Sequence, residues 1–111
     1  MNVKIKELLN SLSINGKYRG YIVTAVACEL LLEDEMLLFA VTHQLYPRVA
    51  EICGCNENTV ERNIRTVLHR AWQNNPKRLL EIAGYNMTVA PTVTEFLGIL
   101  LSYLQRQIVN V

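Results

Sequence analysis

The chain has 111 residues, a mass of 12.7 kDa and a formal net charge of +1 at pH 7. Half of its residues are hydrophobic and 19% are charged, which is typical of a packed globule and excludes a disordered chain or a simple polycation. A chain of this length buries enough apolar surface to fold without a disulfide or a metal. We therefore expect residues 1–111 to form a single domain.

Helical periodicity dominates the sequence, and no segment shows the sustained alternation that is typical of a strand. Asn15-Gly16 is predicted to end the first helix, and Thr92 with Glu95 three residues later forms a capping pair for the last one. Residues 36–45 are ambiguous between a helix and a short extended segment. The predicted helices cover residues 3–12, 18–32, 46–53, 57–72, 77–83 and 92–108. The predicted fold class is all-α, with about six helices.

Residues 46–72 have the spacing of a helix-turn-helix. Pro47 suits the first turn of a short helix, because its missing N–H would have no partner there. Gly54 suits the sharp turn that follows, where a positive φ is needed. Such a pair of helices leaves the outer face of the second one free for the DNA major groove. The residues predicted to fill the space between the two helices are Val49, Cys53, Cys55, Val60 and Ile64.

The second helix of this pair carries the candidate reading face. Asn56 is a good N-cap for it, and Asn58 with Glu61 forms a second candidate capping pair. Arg62 and Arg65 lie one turn apart in the half of the helix that normally meets base edges. The arginine fork matches guanine O6 and N7, whereas Glu61 can accept from cytosine N4 or pair with Arg65. The side chains predicted to face outward are Glu61, Arg62, Arg65, Thr66 and His69.

Local charge supports contact with nucleic acid along this segment. Residues 56–78 hold five cations and two anions, a local charge of +3, although the whole chain is close to neutral. The cations are Arg62, Arg65, Arg70, Lys77 and Arg78. Helix pairs with a solvated charged face also occur in unrelated bundles, so a protein-interaction bundle is the alternative.

Neither the cysteines nor the histidines form a recognisable chemical site. Cys53-Gly54-Cys55 is a C-x-C motif without a second pair of ligands, and Cys28, His43 and His69 stand apart from it. We expect three reduced structural thiols, with no metal, no cofactor and no enzyme activity. The aromatic residues expected in the core rather than in base stacking are Tyr18, Tyr21, Tyr46 and Trp72.

Short motifs are spread over nearly the whole chain beyond its first dozen residues. They are Tyr18-Arg19-Gly20-Tyr21, Leu45-Tyr46-Pro47 with Ala50, Val60-Glu61-Arg62, Ile64-Arg65, Ala71-Trp72, Gly84-Tyr85, Pro91-Thr92 and Glu95-Phe96. In these motifs and their spacing the chain resembles the DNA-binding effector domain of the stage-zero sporulation regulator A family. Members of that family are response regulators that control entry into sporulation. The resemblance implies a six-helix fold with the helix after Cys55 in the major groove. It also implies binding to short G/C-containing boxes, often in tandem, and in some members contact with the RNA polymerase sigma subunit.

The resemblance carries DNA contacts to particular positions. Glu61, Arg62 and Arg65 match the family motif, whereas Thr59 stands where the family has an arginine and Thr66 where it has a histidine. Thr59 cannot hold guanine through two hydrogen bonds, but Thr66 can still donate to a phosphate. The full set of residues expected to bind DNA is Arg48, Asn58, Thr59, Glu61, Arg62, Arg65, Thr66 and Lys77.

We therefore expect a cytoplasmic, sequence-specific transcription regulator with a recognition helix at about residues 57–72. The alternative is an interaction module of the same fold that binds DNA weakly and acts through a partner such as RNA polymerase. The receiver domain of the family is not expected within the chain, so the chain is either an excised effector domain or a stand-alone relative. No apolar stretch is long enough for a membrane helix.

The expected assembly is a monomer or weak dimer that pairs on tandem DNA sites. The last predicted helix carries an unusually wide apolar stripe. Such a stripe either faces a neighbouring molecule in part or packs entirely against the first two helices, and both interpretations stay open from the sequence. Its members are Phe96, Leu97, Ile99, Leu100, Leu101, Tyr103, Leu104, Gln107 and Ile108.

Overall fold

The computed structural model describes residues 2–14 and 18–109 of the chain. These residues form six α-helices and no strand, which confirms the all-α prediction. A 3-10 helix, Glu35–Phe39, and one turn of π-helix, Val41–Leu45, lie between the second and third α-helices. The α-helices are α1 (Val3–Ser11), α2 (Arg19–Glu33), α3 (Tyr46–Cys53), α4 (Glu57–Asn74), α5 (Pro76–Ala83) and α6 (Val93–Val109).

The first helix ends earlier than predicted. α1 stops at Ser11, and Ser13 takes a left-handed conformation with φ of 68°. The Ile14 N–H then donates to the Leu9 carbonyl at 3.2 Å, which closes the helix in a Schellman motif. Ile14 and Leu9 are both buried, as the hydrophobic pairing of this motif requires. The predicted stop at Asn15-Gly16 lies outside the described residues.

The residues predicted to begin or end α3, α4 and α5 do so in the structure, with one exception. The Asn56 side chain accepts from the Thr59 N–H at 2.8 Å at the start of α4. Gly54 ends α3 with φ of 67°, and Gly84 ends α5 with φ of 79°. The second candidate cap is wrong, because Asn58 lies inside the first turn of α4 and Asn56 holds the cap position.

A reciprocal capping box starts the last helix, as predicted. The Glu95 carboxylate accepts from the Thr92 N–H at 2.9 Å, and the Thr92 hydroxyl oxygen accepts from the Glu95 N–H at 3.1 Å. These bonds to Thr92 lower the pKa of the Glu95 carboxyl, because they favour its charged form. The start of α6 is therefore specified within four residues of sequence.

Residues 36–45 form neither a regular α-helix nor a strand. Asp34 follows α2, and its side chain accepts from the Met36 N–H at 3.1 Å, which starts the 3-10 helix. The π-helical turn follows and leads directly into α3. This stretch stays attached to the core through Leu37, Val41 and Leu45, which are buried.

α6 supplies much of the core and contacts α1, α2, α4, α5 and the 3-10 helix. Most of its wide apolar stripe is buried inside the molecule, but the C-terminal end of the stripe is exposed, so the stripe does not pack entirely against other helices and pairing through its exposed end stays a prediction. Tyr103 is half-buried, and Gln107 and Ile108 are exposed. The buried members of the stripe are Phe96, Leu97, Ile99, Leu100, Leu101 and Leu104.

A close helix crossing that the sequence did not reveal joins α2 to α4. A Cβ on Gly20 would lie 2.8 Å from Val67 Cγ2 and 3.0 Å from the Asn63 carbonyl oxygen. Gly20 is therefore required by the proximity of the two helices rather than by its backbone angles. The crossing holds the first turn of α2 against the middle of α4.

Candidate nucleic-acid interface

The helix-turn-helix formed by α3 and α4 is braced by the side chains predicted to lie between its helices. Val49, Val60 and Ile64 have 0% exposure, and Cys53 and Cys55 are half-buried on either side of the turn. Burying each of these aliphatic side chains stabilises the fold by about 1.5–3 kcal/mol. The inner face of α4 is thereby anchored in the core, while its opposite face is left in solvent.

Arg62 lies at the centre of the solvent face of α4. With about 3.6 residues per turn, Arg65 leans from there towards α3, and Thr66 leans towards α2. Arg62 and Arg65 are both exposed, as predicted. Arg62 forms no ion pair with any residue that the structure describes. Its guanidinium group is therefore free to meet an external acceptor.

Arg65 is held in place by Glu61, one helical turn before it. The Arg65 Nη2 and Glu61 Oε1 atoms form the ion pair that the spacing predicted. Tyr46, at the start of α3, is buried beside this pair. Burial raises the pKa of the Tyr46 phenol to about 12, with a further rise from Glu61 and an opposing effect of Arg65. These three side chains form one cluster on the α3 side of the reading face.

Thr59 and Thr66 lie on the α2 side of the same face. The Thr66 hydroxyl donates to the Arg62 carbonyl at 3.0 Å, so its hydrogen is already engaged within the helix. Thr59 is half-buried, and its carbonyl accepts from the Asn63 side-chain amide at 2.8 Å. The expected donation from Thr66 to a phosphate therefore requires the Thr66–Arg62 bond to break.

The remaining predicted residues are spread over three helices. Asn58 is exposed in the first turn of α4, Arg48 is exposed on α3, and Lys77 is exposed in the first turn of α5. Both α3 and α5 contact α4. The predicted residues that share α4 are Asn58, Thr59, Glu61, Arg62, Arg65 and Thr66.

The cations counted on residues 56–78 do not share one surface. Arg78 Nε donates to the Ser11 hydroxyl at 3.1 Å, Nη2 donates to the Tyr103 hydroxyl at 3.3 Å, and Nη1 lies 3.5 Å from the Glu81 carboxylate. Arg78 therefore joins α5 to α1 and α6. The local charge of +3 overstates the number of cations that can meet DNA.

Arg70 makes a contact that the sequence did not reveal. Its guanidinium carbon lies 4.1 Å from the centroid of the Tyr18 ring. Tyr18 is 39% exposed, so its assignment to the core is wrong. Tyr21 and Tyr46 are buried as predicted, whereas Trp72 is half-buried. A cation–aromatic pair between distant parts of the chain leaves no local signal in sequence.

The cysteines are free thiols. Burial raises the pKa of the Cys28 thiol to about 12. Burial also raises the pKa of the Cys53 thiol, the neighbouring Cys55 adds to the rise, and the Arg19 guanidinium opposes it. Burial therefore disfavours at Cys28 and Cys53 the thiolate form, which is the form that acts as a nucleophile or a metal ligand. The described residues contain no group of three or more His, Cys, Asp or Glu that could hold a metal ion.

Comparison with known families identifies the fold that carries this face. The family model described as "Sporulation initiation factor Spo0A C terminal" matches residues 5–104, which include the whole helix-turn-helix. The chain belongs to the Spo0A C-terminal family. This family is the DNA-binding effector domain of a sporulation regulator, and it is regulatory rather than enzymatic. The resemblance inferred from the motifs is thereby confirmed.

No helix in the described part of this Spo0A C-terminal domain is both long enough and apolar enough to cross a bilayer.

Proposed function

We propose that this protein is a sequence-specific transcription regulator that acts in the cytoplasm with α4 in the major groove of DNA. The observation that carries the proposal is the solvent face of α4, where Arg62 is exposed and free of any ion pair within the described residues. A rigid helix with a free guanidinium group is what direct reading of guanine requires. Membership of a DNA-binding effector family supports the same conclusion.

Base reading is assigned to Arg62 and Arg65. Arg62 donates through its fork to guanine O6 and N7. Arg65 is the second residue that reads a base. Its ion pair with Glu61 already restricts the side chain, so Arg65 loses less conformational entropy when it binds. Glu61 either accepts from cytosine N4 or acts only by orienting Arg65.

Phosphate contacts are assigned to the edges of the reading face. Arg48 and Lys77 supply charge from α3 and α5, where both are exposed. Asn58 and Thr59 supply hydrogen-bond donors from the first turn of α4. Thr66 joins them only if its hydroxyl turns away from the carbonyl that it now contacts.

A second candidate function is an interaction module of the same fold that binds DNA weakly and acts through a partner such as the RNA polymerase sigma subunit. Thr59 and Thr66 are neutral, and the charge of Arg65 is partly compensated by Glu61. Each of these features reduces the number of phosphates that α4 can neutralise. This function predicts little salt-dependent binding to any duplex.

Assembly on DNA belongs to the same proposal. We propose a monomer or weak dimer that pairs on tandem sites because DNA raises the effective concentration of the bound molecules. Titration of single-box and two-box duplexes at one stated salt concentration tests this. Independent binding to the two boxes would contradict pairing.

Selection of bound sequences from a random duplex pool separates the two candidate functions. The transcription regulator is expected to enrich one short box, and Arg62→Ala is expected to lose the preference at one position of that box. Lys6→Ala, an exposed substitution on α1, is the matched control and is expected to select the same box. A pool without enrichment, together with no shift of random duplex at low salt, would contradict the proposal and favour the interaction module.

A further inference from the structure

Two cations on the α2 side of α4 have no part in the proposed reading face. Arg19 is exposed at the first position of α2, and Arg70 is half-buried on α4 with its guanidinium over Tyr18. Neither arginine forms an ion pair within the residues that the structure describes. Two uncompensated cations and an exposed aromatic ring at one helix crossing need an explanation.

The Gly20 crossing places this group beside the helix-turn-helix. Because Gly20 lies against the backbone of α4, its chain neighbour Arg19 is held next to that helix. The positive charge of Arg19 also lies close enough to Cys53, at the end of α3, to oppose the rise in that thiol's pKa caused by burial and by Cys55. Arg19 therefore lies at the start of α2, near the end of α3 that leads into the turn before α4.

Arg70 lies at the edge of the reading face. It follows Arg62 at about 80° around the axis of α4, on the opposite side from Arg65 and Glu61. The major groove is about 12 Å wide and is bordered by two sugar–phosphate backbones. A helix that lies in the groove therefore presents one flank to each backbone. Arg48 belongs to the α3 flank, and Arg19 with Arg70 belongs to the α2 flank.

We propose that Arg19, Arg70 and Tyr18 form a phosphate clamp, which binds the DNA backbone along the α2 flank of α4 without reading sequence. This inference rests on the proposed function and adds to it a second region of contact. Arg19 and Arg70 touch phosphate. Tyr18 is a positioning residue, because its ring holds the plane of the Arg70 guanidinium and leaves the N–H groups at its edge free for phosphate oxygens.

Binding to two duplexes of equal length, one with the selected box and one of random sequence, tests the phosphate clamp. Arg19→Gln and Arg70→Gln are each expected to raise Kd by the same factor on both duplexes. For each lost contact, the rise in Kd between about 50 and about 200 mM salt should be smaller by a factor of about 3.5, since a contact contributes about 0.9 to the slope. Lys6→Gln removes an equal charge from α1 and is expected to change neither quantity.

Substitution of Tyr18 tests the positioning role. Tyr18→Phe keeps the ring and is expected to leave Kd unchanged on both duplexes. Tyr18→Ala is expected to raise Kd on both, although it removes no charge. Arg70→Lys keeps the charge without the fork, so it is expected to recover most of the salt slope but not the full affinity. Circular dichroism melting of each variant shows whether the fold is retained, and a variant that melts below the working temperature is compared at lower temperature.

The outcomes separate this inference from the proposed function. The phosphate clamp alone would be overturned if Arg19→Gln and Arg70→Gln left both Kd and its salt slope unchanged while Arg62→Ala still lost the base preference at one position of the box. Weaker binding to the selected box with normal binding to the random duplex would also overturn it, because the residues would then read bases. A wild-type protein without salt-dependent binding to either duplex would overturn both.

Discussion

The solvent face of α4 and the joint between α1, α5 and α6 use arginine in opposite ways. At the joint, Arg78 donates to Ser11 and Tyr103, and Arg106 donates to the Ile82 carbonyl at 3.0 Å. Both guanidinium carbons lie 5.7 Å from the centroid of the Tyr103 ring. On α4, by contrast, Arg62 has no ion-pair partner among the described residues.

The difference separates arginines that hold the fold together from those that are free to bind a ligand. An arginine whose N–H groups are satisfied internally gives up those bonds if it turns to an external anion, so binding there gains little. An arginine in solvent exchanges only water for phosphate or base. A charge count along the sequence treats Arg78 and Arg62 as equal. Arg78, however, is hydrogen-bonded to other helices, whereas Arg62 has no ion-pair partner among the described residues.

The largest expected effect comes from Arg62→Ala. It should weaken binding to the preferred box by about 1–3 kcal/mol, because one bidentate contact with guanine is lost. The free energy of unfolding should change by less than about 0.5 kcal/mol, since the side chain is exposed and makes no ion pair in the described structure. Titration on specific and random duplexes measures the first quantity, and urea unfolding measures the second. An equal loss on both duplexes would show that Arg62 contacts only phosphate.

Arg78→Met tests the other group of arginines, those that hold the fold together. It keeps an aliphatic stem but removes the bonds to Ser11 and Tyr103, so the free energy of unfolding should fall by about 1–2 kcal/mol. DNA affinity at a temperature well below the melting transition should stay unchanged. Lys6→Met, on the exposed side of α1, is the control for lost charge. If Arg78→Met had normal stability but bound DNA weakly, Arg78 would be a DNA-binding residue and the distinction between the two groups of arginines would be wrong.

Thr59→Arg adds a cation to the reading face and should strengthen DNA binding by about 1 kcal/mol. The same change should lower the stability of the fold by about 0.3–1 kcal/mol, because a cation in the first turn of α4 opposes the helix dipole. Duplex titration and urea unfolding of one preparation measure both effects. No gain in affinity would mean that Thr59 does not face DNA.

Glu61→Gln is expected to have the smallest effect on affinity, less than about 1 kcal/mol. It removes the repulsion between a carboxylate and phosphates but also the ion pair that holds Arg65. We therefore expect slightly stronger binding to random duplex and a weaker or altered sequence preference. Repeating the selection with this variant measures the preference. An unchanged selected sequence would contradict both roles assigned to Glu61.

The helix boundaries were predictable where the signal lies within a few residues. Asn56 caps the start of α4, Gly54 ends α3 and Gly84 ends α5. Thr92 pairs with Glu95 at the start of α6. Each of these signals involves atoms at most three or four positions apart, so neighbouring helices cannot change it much.

Two sequence predictions differ from the structure, for different reasons. α1 ends at Ser11, one residue before the predicted end at Leu12, in a Schellman turn that Ser13 completes without glycine. Tyr18 was assigned to the core, but it lies at the surface under Arg70 of another helix. The turn after α1 is made by neighbouring residues, whereas the contact of Arg70 with Tyr18 depends on packing that periodicity does not report.

The sequence by itself determined the all-α class, the helix-turn-helix and the identity of the residues on the outer face of α4. These follow from helical periodicity and short-range capping, which are properties of neighbouring residues. The tertiary structure alone decided the close approach at Gly20 and the commitment of Arg78 to α1 and α6. The physical reason is that a long arginine side chain reaches whatever acceptor folding brings within a few ångströms. Which acceptor that is depends on which helices become neighbours.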